Sequence, residues 1–488
     1  MDQSKLSKIE AVLEQAIDDG IFAGANALVY KDGEEQYYAQ AGYADIENGV
    51  PIARDTIFRL YSMTKPITAV AAMILMQEGV LNLNEPVSKY LPGFKNQQVA
   101  ALDGREPVHA EVRIVDLLRM TSGLIYEREE FDVGRQVGAV FSELEARRHT
   151  DKAMNTQDVA NRLGQCDLMF QPGSHWRYGT SADVMAAVIE IASGQKYSEF
   201  LSDTILKPLG MNDTGFYVPK EKQSRLAKTY RETGNGLILD TNPFLGISIG
   251  MENPPAFESG GAGLVSTIDD YMRFARMLND SGKCGSGNGH RGRSNDHKMC
   301  NDHRGRNGND NNICNDSNIY NGGNENNDYH SNDYNDSTIY NGGNKNNDSR
   351  GNDYHRSNRS NGYNDHHHKK RNNHDDRGSL DGVRILSQKA VDYLTTPQVD
   401  EARAQEMIDS WNGSLDGFSY GNFMRILVNP GKATFMGSKG EYGWDGALGC
   451  YFLNSPEDNL SFVLNIQRKD SGTIDTTMRI RNIIFSAI

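Results

Sequence analysis

The stretch RLYSMTKPITAVAAMILMQEG, residues 59–79, sets Ser62 and Lys65 three residues apart at the mouth of an apolar run. Residues at i and i+3 share one face of a helix, a turn apart. Pro66 falls in the first turn, where backbone N–H groups have no intrahelical partner, so it does not argue against a helix. Ser62 then stands at the positive end of that helix, which favours a developing negative charge. A serine activated by a lysine can replace a serine activated by a histidine, provided the surroundings lower the lysine from its ordinary pKa of about 10.4. A helix-start serine beside a solvated lysine would give the same spacing. The pair therefore needs support from the rest of the chain.

The bulk composition narrows the setting. A formal charge of −14 over 488 residues argues against a nucleic-acid partner, because phosphate binding needs concentrated positive charge. The N-terminal MDQSKLSKIEAVLEQAIDDG spaces Leu6, Ile9, Val12, Leu13 and Ile17 as one helical stripe among charges, so no secretory signal is expected there. The apolar run ITAVAAMILM is too short to cross a bilayer. Five widely spaced cysteines do not form a disulfide framework, and a reducing, cytoplasmic setting is the expectation.

A hydrophobic share of 37% with 49 glycines means that some segment dilutes the average. It runs over 281–378. Two tandem 20-residue copies, NDSNIYNGGNENNDYHSNDY and NDSTIYNGGNKNNDSRGNDY, occupy 315–354, and nine of the twelve histidines fall between 290 and 374. Asn/Gly/Asp/Ser composition of this kind buries too little apolar surface to offset ordering entropy, so a disordered insert is expected. Cys300 with His303, and His366–His368, are the metal-like clusters, but no second pair stands at zinc-finger spacing. Without the tract, a helix over YMRFARMLNDSGK would continue into GSLDGVRILSQKAV. The insert thus interrupts a surface loop, leaving one domain made of 1–280 and 379–488.

Within that domain, GANALVYKDGEEQYYAQAGYAD alternates around Lys31-Asp32-Gly33 as a hairpin. Residues from about 60 to 240 are mostly helical, and EYGWDGALGCYFL with the following strand pairs across Asn454-Ser455-Pro456. TTMRIRNIIFSAI closes the chain as an amphipathic helix. Strands at both ends with helices between them predict an α+β fold, with an antiparallel sheet flanked by terminal helices and a mostly helical domain inserted. The cleft between the two parts is the expected site.

Four further segments follow in order: RIVDLLRMTSGL (113–124), FQPGSHWRYGTSADV (170–184), SGGAGLVSTIDDYMRF (259–274) and GWDGALG (443–449). With Ser62 and Lys65, these make the chain resemble the serine β-lactamase-like hydrolases, a superfamily that includes class C β-lactamases, D-alanyl-D-alanine carboxypeptidases and family VIII carboxylesterases. The resemblance covers residues 5–280 and 379–488. It implies a β-lactamase/transpeptidase-like fold, Ser62 as acylated nucleophile, Lys65 as its base partner and Tyr178 as the tyrosine that shares proton transfer with the lysine. It also implies that Trp444-Asp445-Gly446 borders the substrate and that the backbone N–H of Ala447 joins that of Ser62 as an oxyanion hole.

The chain departs from the family pattern in specific places. Thr180 stands where an asparagine amide grips the acylamide of a lactam; it can instead cap the helix that follows, with Asp183 three residues on. Trp444 replaces a cationic or histidine residue, Asp445 a glycine or threonine, and Met120 a frequent histidine. These changes point to a carboxylesterase of small esters, with a β-lactamase or D-aminoacyl peptidase as the alternative and a scaffold protein as the reading from another class. GISIG (246–250) matches the nucleophile-elbow pattern around Ser248, but the MENPP that follows forbids the helix this motif requires. Cys166 and Cys450 read as small buried residues. No phosphate loop or metal cluster is read outside the insert, so neither metal nor cofactor is expected, and the partner is a small ester or amide.

Overall fold

The computed structural model describes residues 1–101, 104–280 and 376–488, and the expected disordered insert with its Cys300, His303 and His366–His368 clusters lies largely outside them. At its centre is an eight-stranded antiparallel sheet in the order 418–420, 425–427, 442–445, 451–455, 460–466, 24–31, 34–45 and 50–51. The first long strand pairs on one side with its hairpin partner and on the other with the last strand of the chain, with Ala27 opposite Leu464. Asp32 (φ 54°) and Gly33 (φ 80°) make the turn that joins strands 24–31 and 34–45. Two consecutive positive-φ residues match the right-handed strand twist.

Alternate residues along strand 24–31 enter different cores. Ala25, Ala27 and Val29 face the terminal helices Lys8–Asp18 and Asp475–Ser486, where they meet Leu13, Ile480 and Ile484. Leu28 faces the larger core that the helix Thr64–Gln77 occupies. Residues 64–75 of that helix are all buried. A helix apolar on every side belongs in an interior, and its polar members are satisfied there. Thr68 Oγ1 bonds Tyr197 Oη at 2.7 Å and the Gly260 carbonyl at 2.6 Å, and Thr64 Oγ1 accepts from Leu264 N at 3.1 Å.

The helical part comprises Ile114–Leu118, Asp132–Arg147, Thr156–Gly164, Ser181–Ser193 and the segment 197–209. Ser181–Ser193 packs against Thr64–Gln77, and Ile268–Asn279 packs on strand 460–466. The expected hairpin turn at Asn454-Ser455-Pro456 is corrected. Asn454 and Ser455 belong to strand 451–455, held by Asn454 amide bonds to the Ala275 carbonyl and Tyr442 Oη, and the turn spans 456–459 with Asn459 at φ 49°. Among the described residues no helix is long and apolar enough to cross a membrane.

Candidate functional site

Ser62 lies in a single 3₁₀ turn, Tyr61–Met63, that leads into Thr64–Gln77. Tyr61 before it is fully buried with φ 45°. A non-glycine residue in the left-handed region costs about 1–2 kcal/mol. The surrounding packing holds it there and presents Ser62 to the cleft.

Lys65 is fully buried behind Ser62. Its Nζ is 3.0 Å from Ser62 Oγ, 3.0 Å from Tyr126 Oη and 2.8 Å from the Gly261 carbonyl. Burial pushes the Lys65 pKa down to about 7, with the Asp183 and Asp445 carboxylates pulling the other way. A neutral amine has two N–H donors and one lone pair. The Gly261 carbonyl can only accept, and Tyr126 Oη can take the second N–H. The lone pair is then left for the Ser62 hydroxyl proton.

Tyr178 Oη accepts the Trp444 indole N–H at 3.0 Å. Burial drives its phenol far above the usual range, while hydrogen bonds to Ser62 and Trp444 act against that shift. Its proton therefore stays on, available to a neighbouring oxygen. Lys65 Nζ also stands 4.7 Å from the centre of the Tyr178 ring.

Two glycines let these parts meet. A Cβ on Gly446 would stand 2.2 Å from the Leu60 carbonyl, so only glycine lets the end of strand 442–445 close on the Ser62 turn. A Cβ on Gly179 would stand 2.2 Å from the Leu124 carbonyl, so only glycine lets the 121–126 loop reach the Tyr178 segment. The backbone N–H groups of Ser62 and Ala447 donate to no acceptor among the described residues. Both residues border the cleft, a cavity of about 310 Å³. An oxyanion hole is built from two such free N–H groups beside the reacting oxygen.

The cleft brings together Ser62, Tyr178, Trp444, Asp445, Gly446 and Ala447, with Lys65 just beneath. Asp445 contacts the buried Arg425 guanidinium at 3.6 Å and accepts from Thr473 Oγ1 at 2.9 Å. Ser248 lines a different cavity, and Met120 is buried with its carbonyl receiving Arg177 N. The expected capping by Thr180 is corrected. Its backbone already has ψ 10°, its Oγ1 has no hydrogen-bond partner, and Asp183 turns inward to accept from Ser259 Oγ and Gly261 N. Asp183 thereby fixes the strand of backbone whose carbonyl holds Lys65.

The sequence alone does not mark Tyr126. It directly follows the Thr-Ser-Gly-Leu-Ile run, yet no fixed spacing from Ser62 marks it. Only the folded loop shows its bond to Lys65.

Residues 9–305 match the family described as Beta-lactamase. The chain belongs to that family. Esterase EstB of Burkholderia gladioli is 34% identical over 288 residues, which cover 56% of this chain and 70% of that protein. An uncharacterized Mycobacterium tuberculosis protein is 33% identical over 277 residues, and the match spans 55% of this chain and 65% of that relative's length. Among solved structures, EstCE1, a hydrolase with promiscuous acyltransferase activity, superposes with a TM-score of 0.67 at 22% identity, covering 99% of each chain. The Beta-lactamase fold is thus established for this chain. Among the described residues no group of three or more His, Cys, Asp or Glu could hold a metal ion.

Proposed function

We propose that the protein is a serine hydrolase that forms an acyl-enzyme on Ser62 and acts on small carboxylic esters. The observation that carries this reading is the fully buried Lys65 amine at 3.0 Å from Ser62 Oγ, where burial pushes its pKa down to about 7. Ser62 Oγ attacks the ester carbonyl carbon and its proton passes to Lys65 Nζ. The tetrahedral oxyanion lies against the N–H groups of Ser62 and Ala447. As the carbon–oxygen bond of the leaving alcohol breaks, Tyr178 Oη supplies a proton to that oxygen, and Lys65 restores it. Water then attacks the acyl-enzyme by the same route in reverse.

Esters are favoured over lactams by two features. The Trp444 N–H is committed to Tyr178, and Thr180 offers no side-chain amide, its hydroxyl being buried without a partner. The kinship with Esterase EstB supports the same choice. Loss of one or two polar substrate contacts, at about 1–3 kcal/mol each, lowers lactam kcat/KM by roughly one to four powers of ten. The test compares 4-nitrophenyl acetate and butyrate with nitrocefin on one preparation. The esters are expected to have the larger kcat/KM; a larger value for nitrocefin would promote lactam hydrolysis instead.

A further inference from the structure

We propose that Arg128 and Arg177 form an anion subsite in the cleft, so that the preferred ester carries a carboxylate or similar anionic group away from the scissile bond; the ester part of this statement rests on the function proposed above. Loss of a cation at position 444 suggests from sequence that the site has no positive charge for a substrate anion. The structure supplies that charge from the helical side of the cleft instead. Arg128, in the loop after Tyr126, and Arg177, next to Tyr178, both line the cavity that holds Ser62. Among the described residues neither guanidinium forms an ion pair with a carboxylate or a side-chain hydrogen bond, and Arg177 rests over the Phe131 ring at 5.9 Å.

The acidic group lining the same cavity is Asp445, and it is already answered by Arg425 and Thr473. Nearby Asp132 is paired with Arg135. The planar fork of each guanidinium matches a carboxylate or phosphate with two parallel hydrogen bonds. Both groups keep some contact with solvent. Their pull therefore weakens as salt is added.

The experiment uses the full chain and three butyryl-sized esters: neutral 4-nitrophenyl butyrate, 4-nitrophenyl hemiglutarate with a carboxylate on the acyl side, and the butyryl ester of 4-hydroxybenzoate with a carboxylate on the alcohol side. At least one anionic ester is expected to exceed the neutral one in kcat/KM by roughly ten- to hundredfold at low salt. Arg128→Gln with Arg177→Gln should abolish that ratio, and the two Arg→Lys changes should keep part of it. Because the ratio is read within one preparation, partial misfolding cancels. A second readout needs no turnover. All three tryptophans of the chain, Trp176, Trp411 and Trp444, cluster around Tyr178. Free glutarate should change their fluorescence saturably where butyrate at equal ionic strength does not.

Equal rates on neutral and anionic esters, together with equal responses to glutarate and butyrate, would overturn the subsite and leave the esterase reading intact. Glutarate binding that is lost in the Gln variants, with no ester turned over, would uphold the subsite and remove the esterase reading.

Discussion

At the scale of single residues the site turns on Lys65. An amine of pKa about 7 is deprotonated above neutrality, so kcat/KM should rise with pH through about 7 and then level off. Lys65→Ala should lose about a thousandfold, within the usual range for a general base. The same shift has a sign for stability. The folded pKa lies below the ~10.4 of the unfolded chain, so between about 7 and 10 the unfolded state holds the extra proton and stability rises with pH. Below 7 the full cost of a buried charge is present. Lys65→Met is therefore expected to raise the denaturant midpoint more at about pH 6 than at about pH 9.5. A pH-independent difference, or a flat rate profile between about pH 5.5 and 8.5, would mean that Lys65 keeps its charge.

Ser62, Lys65 and Tyr178, which the fold brings together, are legible as candidates because each sits in a short segment with a recognisable neighbourhood. Tyr126 was not, since its bond to Lys65 depends on a loop that Gly179 admits. The role of Trp444 was half legible: its place in the cleft followed from the segment order, whereas its N–H bond to Tyr178 needed the fold.

At the scale of elements, strong periodicity was the reliable guide. TTMRIRNIIFSAI, amphipathic in sequence, forms the helix Asp475–Ser486. The 16-residue helix Asp132–Arg147 is hard to read from sequence because Gly134 and Gly138 lower its propensity. Tertiary packing accounts for both, since Cβ atoms there would stand 2.2 Å from the Arg128 carbonyl and 2.8 Å from the Glu127 carboxylate.

Gly378 N donates to the Met277 carbonyl at 2.7 Å, so the chain on the two sides of 281–375 is already joined. The short hairpin of Ser379–Leu380 and Val383–Arg384 then leads to Gln388–Leu394. A few residues can close this gap, and closure entropy falls as a loop shortens. Replacing 281–375 by a short Gly-Ser linker should leave ester kcat/KM within about twofold and raise the melting temperature slightly. Insoluble or inactive protein would show that the tract has a structural task.

At the scale of the whole molecule, the first and last strands pair at the centre of one sheet, which ties both chain ends into the core that supports the cleft. Strand 442–445 brings Ala447 from that sheet, and Thr64–Gln77 presents Ser62 from the helical interior. A buried ion pair, Arg481 Nη1 to Glu441 Oε1 at 2.6 Å, fixes the C-terminal helix to the start of that strand. Sheet and helices thus hold the Ser62 hydroxyl, the Lys65 amine and the free N–H groups in one place. On the function proposed above, that preorganisation directs an acyl or phosphonyl group to the Ser62 hydroxyl. Intact-mass spectrometry after incubation with a fluorophosphonate tests it most directly. One adduct per chain is predicted, absent in Ser62→Ala and retained in Ser248→Ala; an adduct that persists in Ser62→Ala would show that another group is acylated.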